Sequence, residues 1–128
     1  MKTHYTVALA MLTGVAIGVV AIQGLHAQSK SKAYLVTETE VIDTAALAIY
    51  SPLVAAAVKA AGGRRIGTQG GKIVAFVGDP PKRVGISEWD SLEKAQEYRN
   101  SAAYKSLAPQ RDKALKIIRA YAIEGPTN

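Results

Sequence analysis

Beyond Ala27 this chain contains no cysteine, no histidine and no methionine. Whatever this part folds into cannot be pinned by disulfides or by a Cys/His zinc site. It must be held by apolar packing, backbone pairing or association with a second chain. The same absence removes cysteine nucleophiles, Ser-His-Asp triads and proximal-His haem from the chemistry open to it.

The two histidines, both methionines and the longest apolar run all lie in residues 1–27. Lys2 gives a positive start, residues 5–22 are uncharged, and Leu25-His26-Ala27 ends in the small residue that signal peptidases prefer. Residues 1–27 therefore predict a signal peptide, with export to the periplasm or beyond the cell. The alternative is a retained inner-membrane anchor, for which Gly14 and Gly18 supply a small-xxx-small pair. Residues 28–128 have the length of a single domain with one core.

Of 16 Lys and Arg only Lys2 precedes residue 28, while all 10 Asp and Glu follow it, so the remainder keeps a net positive charge one unit below the +6 of the whole chain. Phosphate binding is the obvious use of such a balance. The pattern argues otherwise. Lys59, Arg64, Arg65, Lys72, Lys82, Arg83, Lys94, Arg99 and Lys105 are interleaved with acids, and no nucleic-acid module is recognisable. A solvated basic face without a nucleic-acid partner is the expectation, with membrane contact only if the leader is retained.

Residues 33–41 alternate and are rich in β-branched side chains, which predicts a strand. Asp43 is a ready N-cap for an Ala-rich helix that Gly62 would stop. Pro52 divides that segment into two helices or kinks one. Residues 64–68 and 72–77 flank Gly70 and Gly71 and predict a hairpin, closed by the turn Gly78-Asp79-Pro80-Pro81. In the next strand, residues 83–89, Val84, Ile86 and Glu88 share one face, and Gly85, Ser87 and Trp89 the other. Asp90 with Glu93 has capping-box spacing for the following helix, Ser91 being the alternative cap. A short helix around Pro109 and a last strand at 117–124 complete a β-α-β-β-β-α-β order. That order predicts an α+β fold: a ferredoxin-like antiparallel sheet with helices on one face. The bare sheet face calls for a cover, and a second copy of the chain covers two such faces at once.

The strand AYLVTETEV, the helix end AAGGR, the stretch QGGKIVAFVGDPPKRV, the run WDSLEKAQEYRNSAAYKSL and the closing IRAYAIEG together resemble domain-of-unknown-function family 1330. The likeness spans residues 32–125. It implies a dimeric α+β barrel and hence a homodimer, and it implies no established reaction. Many members carry Glu before the Tyr of the Tyr104 turn and Arg before the glycine pair, where this chain has Ala103 and Gln69.

Barrels of this superfamily often enclose a pocket between sheet and helices. Haem-degrading relatives use a His ligand that this domain lacks, so no cofactor and no metal is expected. Cofactor-free chemistry could use Glu88, Tyr104 and Arg119 as catalytic candidates, with Trp89, Tyr104, Arg119 and Tyr121 lining a ligand site. Each has a plainer role: Trp89 as core, Glu88 as a surface acid or partner of an Arg, Tyr104 as a lock on its turn, and Arg119, which alternates with Ile118 and shares a face with Ile117 and Tyr121, as a snorkelling cation or partner of Glu88. Glu38 and Glu40 read as a solvated strand face, and Arg64 and Arg65 as split between faces. The favoured reading is an exported dimer of unknown activity that binds a small molecule in the barrel. A cofactor-independent monooxygenase- or isomerase-like enzyme, acting on a small hydrophobic or carboxylated compound, is the second. A structural or interaction protein at the membrane surface is the third. A pocket with convergent polar groups separates the first two from the third.

Overall fold

In the computed structural model, which describes residues 31–67 and 69–127, strand β1 (Ala33–Val41) is the centre of the sheet. It pairs antiparallel with β3 (Arg83–Trp89) on one side and β4 (Leu115–Glu124) on the other. The two-residue β2 (Arg64–Arg65) lies outside β3, giving the order β2-β3-β1-β4. Helix α1 (Thr44–Ala60) connects β1 to β2; α2 (Leu92–Asn100), α3 (Ala102–Lys105) and α4 (Ala108–Ala114) connect β3 to β4. This is the ferredoxin-like α+β plan with helices packed on one sheet face. Residues 1–27, where a signal peptide or anchor is expected, lie outside the described residues. No helix among the described residues is long and apolar enough to cross a membrane.

Local sequence explains most of the element ends. Asp43 caps α1 by accepting from the amides of Ala45 (2.8 Å) and Ala46 (3.0 Å). At the other end the Gly62 amide donates to the Lys59 carbonyl and that of Gly63 to Val58, with Gly62 at φ +92°. That pair of bonds is a Schellman cap, and it needs a residue at ease in the left-handed region. Pro52 does not split the helix, which runs unbroken from Thr44 to Ala60. Tyr50 before it and Val54 and Val58 after it all pack into the core. That shared packing outweighs the roughly 3 kcal/mol an interior proline costs. Helix α2 is capped by Ser91, whose Oγ accepts from the Lys94 amide at 3.2 Å; Asp90 is not the cap.

Two expectations fail. Residues 72–77 form no strand: they pair with no strand among the described residues, and Phe76 and Val77 are each 95% exposed. A strand needs a neighbour to take its backbone groups, and a glycine pair between two short runs cannot by itself supply one. The second concerns β4. Its pairing with β1 shifts at Glu38/Thr39, so that Glu38 faces Arg119 while Thr39 faces Ile117, leaving Ile118 as the extra residue of a bulge. Ile117 consequently points to the helices, on the opposite face from Arg119 and Tyr121.

The core lies between sheet and helices in two adjoining groups. Leu35, Val58, Trp89, Ala95 and Tyr98 form one, and Tyr50, Ala114 and Leu115 the other, with Val54 packed against both. Trp89 is 1% exposed and stacks on Tyr98 with ring centroids 4.9 Å apart. The other sheet face carries Tyr34, Val36 and Glu38 of β1, Val84, Ile86 and Glu88 of β3, and Arg119, Tyr121 and Ile123 of β4, with no helix of the described residues over it.

Candidate functional site

Beside the two core groups, on the helix side of the sheet, lies a cavity of about 90 Å³. Its lining includes the hydroxyl-bearing Thr37 and Thr39 of β1, Tyr50 of α1 and Tyr98 of α2, and the arginines Arg65, Arg83 and Arg99. Among the described residues no carboxylate lines it.

The three arginines are placed at or near element ends. The Schellman cap of α1 turns the chain straight into β2, where Arg65 sits opposite Ser87 and donates to the Ser51 carbonyl at 3.4 Å. Arg83 opens β3 on the face that carries Ser87 and Trp89. Arg99 closes α2, and its Nη1 donates to the Tyr104 hydroxyl while the guanidinium carbon lies 4.3 Å from that ring's centroid. Tyr104 is fixed by Ser101, whose Oγ accepts from the Tyr104 amide at 3.2 Å and donates to the Tyr98 carbonyl at 2.6 Å. Arg111 of α4 approaches the same ring at 5.2 Å.

The site is positive and short of acceptors. Burial, and then the neighbouring Arg65, hold the Arg83 guanidinium below its ordinary pKa. Burial pushes the Tyr98 hydroxyl up to about 12 and raises that of Tyr50. Thr39 Oγ1 and Tyr98 Oη are buried with no hydrogen-bond partner among the described residues. Donors thus converge where no base is available: carboxylates are absent and Tyr98 stays protonated at neutral pH. Such a lining can bind and orient an electron-rich group. It is poorly equipped to remove a proton.

Of the residues expected from sequence, Tyr104 lines the cavity. Trp89 is core: its Nε1 donates to Ser87 Oγ at 2.9 Å and its ring is enclosed. Glu88, Arg119 and Tyr121 are on the far face of the sheet, so the strands separate them from Tyr104. Glu88 accepts from Lys32 (3.0 Å) and Arg64 (3.1 Å), and the Lys32 hydrogen bond holds its carboxyl below the usual range. Arg119 pairs with Glu38 rather than Glu88, through two hydrogen bonds of 2.5 and 2.8 Å. Glu38 is therefore buried, not a solvated acid, and that pairing holds its pKa down. Arg64 and Arg65 do divide between faces, Arg64 towards Glu88 and Arg65 towards the cavity. Arg65, Arg83, Arg99, Tyr50 and Tyr98 were not singled out from sequence. Among the described residues no three acids or histidines cluster as metal ligands would.

Two crystal structures share this architecture. RPA0582, a protein of unknown function from Rhodopseudomonas palustris, aligns with a TM-score of 0.59 at 15% identity, over 84% of this chain and 93% of its own. Methylated RPA0582 aligns at 0.57 and 15%, over 83% and 90%. No curated protein is significantly similar in sequence. Residues 32–126, nearly everything the structure describes, match the family model described as "Domain of unknown function (DUF1330)", and the chain belongs to that family.

Proposed function

We propose that this protein is an exported homodimer that binds a small molecule in the cavity between its sheet and helices. The observation that carries the reading is the convergence of three guanidinium groups and two unpartnered buried hydroxyls, Thr39 and Tyr98, on one partly apolar cavity. Buried polar groups without partners are uncommon in folded chains, and a ligand is one way to satisfy them. A filled core would have supported a purely structural role instead. The lack of a carboxylate in the lining favours binding over proton-transfer catalysis. Native mass spectrometry of protein isolated from its own cells should show a co-purifying small molecule. An apo mass alone, across gentle preparations, would refute the reading.

The homodimer is supported by what the fold leaves uncovered. Tyr121 and Ile123 on the far sheet face are 45% and 53% exposed, and Val74, Phe76 and Val77 stand out from the loop before β3. Apolar groups of this size on a small domain are suited to association. A second copy, laid face to face, would cover both sheets, and sedimentation should give a dimer at micromolar concentration; a stable monomer would refute it. Export rests on the sequence of residues 1–27. N-terminal sequencing of the native protein should begin near Gln28, whereas Met1 retained in a membrane fraction would support the anchor instead.

A further inference from the structure

We propose that the cavity takes a small monocarboxylate with a short apolar body, its carboxylate set between Arg65 and Arg83. This rests on the binding reading above and names the chemistry of its ligand.

The charge pattern comes first. Every charged side chain that lines the cavity is an arginine, and among the described residues Arg65, Arg83 and Arg99 make no ion pair. Elsewhere the fold pairs its arginines readily: Arg64 with Glu88, Arg111 with Asp112 and Arg119 with Glu38. Arg65 and Arg83 thus line one cavity, half-buried, with Arg65 near enough to lower the Arg83 pKa and no counter-charge from the described residues, an arrangement that costs stability and that an anion relieves. Arg99 is occupied by the Tyr104 ring and hydroxyl, which leaves Arg65 and Arg83 as the free pair. Arg65 spends one donor on the Ser51 carbonyl, and the rest of its fork is available.

The hydroxyls come second. Thr39 and Tyr98 are 4% and 3% exposed, line the cavity, and have no partner among the described residues. Both can donate to an oxyanion, and burial keeps Tyr98 protonated to do so. Guanidinium forks match a planar carboxylate in bidentate geometry. The remaining wall, with Leu35, Val54, Val58, Leu115 and Ile117, is aliphatic. That wall is what distinguishes a carboxylate on a hydrocarbon stem from inorganic phosphate, which has no apolar part to bury.

The test uses the purified full-length protein and three probes in calorimetry: hexanoate, 1-hexanol and inorganic phosphate. Hexanoate should bind about tenfold or more tightly than 1-hexanol, which lacks the charge-assisted hydrogen bonds, and about tenfold or more tightly than phosphate, which has no hydrocarbon stem to bury. Arg83→Gln and Arg65→Gln should each weaken hexanoate by about tenfold or more, while Arg64→Gln, on the far sheet face, should leave it unchanged. Trp89 fluorescence checks that each variant is folded, and if one is not, the other decides. Equal binding of hexanol and hexanoate overturns the carboxylate assignment and leaves the binding site standing. Equal binding of phosphate overturns the apolar body. Hexanoate affinity unaltered in folded Arg83→Gln and Arg65→Gln overturns the placement. If no probe binds, this inference fails together with a site for small apolar carboxylates, whereas a co-purifying ligand of other chemistry would still support the broader reading.

Discussion

Gly63 is the position where the fold leaves least room for another atom. A Cβ built there would lie 2.6 Å from Cζ2 of Trp89, 2.7 Å from Cη2 and 2.8 Å from Cε2. Such contacts are too short to persist, so either the ring or the chain after α1 must move. The ring is held on three sides: it stacks on Tyr98, hydrogen-bonds to Ser87 through Nε1, and is 1% exposed. The chain is held by the Schellman bond from the Gly63 amide to Val58. Overpacking of this kind costs about 1–3 kcal/mol. Against it, any Gly→Ala change gains about 0.4–1 kcal/mol by restricting the unfolded chain. Gly85→Ala isolates the clash, because it has the same unfolded-state gain while its Cβ would meet only Gln69, at 3.7 Å. The difference between the two variants should therefore be about 1–3 kcal/mol, and each kcal/mol lowers Tm by roughly 4–8 °C in a domain of this size. Thermal unfolding followed by Trp89, the single tryptophan of the chain, reads both stability and local packing. Protein concentration must be fixed across variants, since association raises Tm by mass action. A Gly63→Ala protein as stable as Gly85→Ala, with unshifted emission, would refute the reasoning.

The Glu38 carboxyl is held below its ordinary pKa of 4.5 by Arg119, so its contribution is fully present above that value and is lost as pH falls through the lower folded value. Glu38→Gln should accordingly flatten the acid limb of a Tm–pH profile below 4.5, and an unchanged limb would count against the pairing. Tyr98 runs the other way: its raised pKa means stability that holds below 10 and is lost as pH rises through 10 towards about 12. Tyr98→Phe should remove that alkaline loss, and because the hydroxyl has no partner among the described residues its Tm at neutral pH should hold or rise; a fall comparable to Gly63→Ala would contradict this. Ser91→Ala should cost about 1 kcal/mol, the usual value of an N-cap, whereas Asp90→Ala should cost little; equal losses in the two would argue against the assigned cap.

Most of the fold was legible because most of it is local. The Asp43 cap, the Gly62 stop, the alternation of residues 33–41 and 83–89 and the helix placed before the last strand are all written within a few residues of where they act. Residues 72–77 differ from the expected hairpin because a glycine pair between two short runs reports only where the chain can turn. Whether a partner strand lies alongside is a property of the whole chain, and here the edge strand β2 is only two residues long. The bulge at Ile118 was invisible for a similar reason. It is a mismatch between two strands distant in sequence, and neither one betrays it alone.

The bulge also sets the face that Arg119 occupies. Read as an unbroken alternation, β4 placed Arg119 and Tyr121 beside Ile117, which made Arg119 look like a cation set among apolar neighbours. With the bulge in place, Ile117 faces the cavity and Arg119 meets Glu38 on the other side. The cations that do face the cavity left a quieter signal in β3. Trp89 is the obvious core residue of that strand, and stepping back by twos from it reaches Ser87, Gly85 and then Arg83. A charged residue on the face that a tryptophan marks as buried is the anomaly to follow, since an inward cation needs a partner. Here no acid of the cavity lining supplies one. The exposed-looking acids and cations of the far face pair with one another instead: Glu38 with Arg119, Glu88 with Lys32 and Arg64. Charge compensation within the chain therefore separates the two faces: the paired charges have no further partner to find, and the unpaired arginines mark where one would bind.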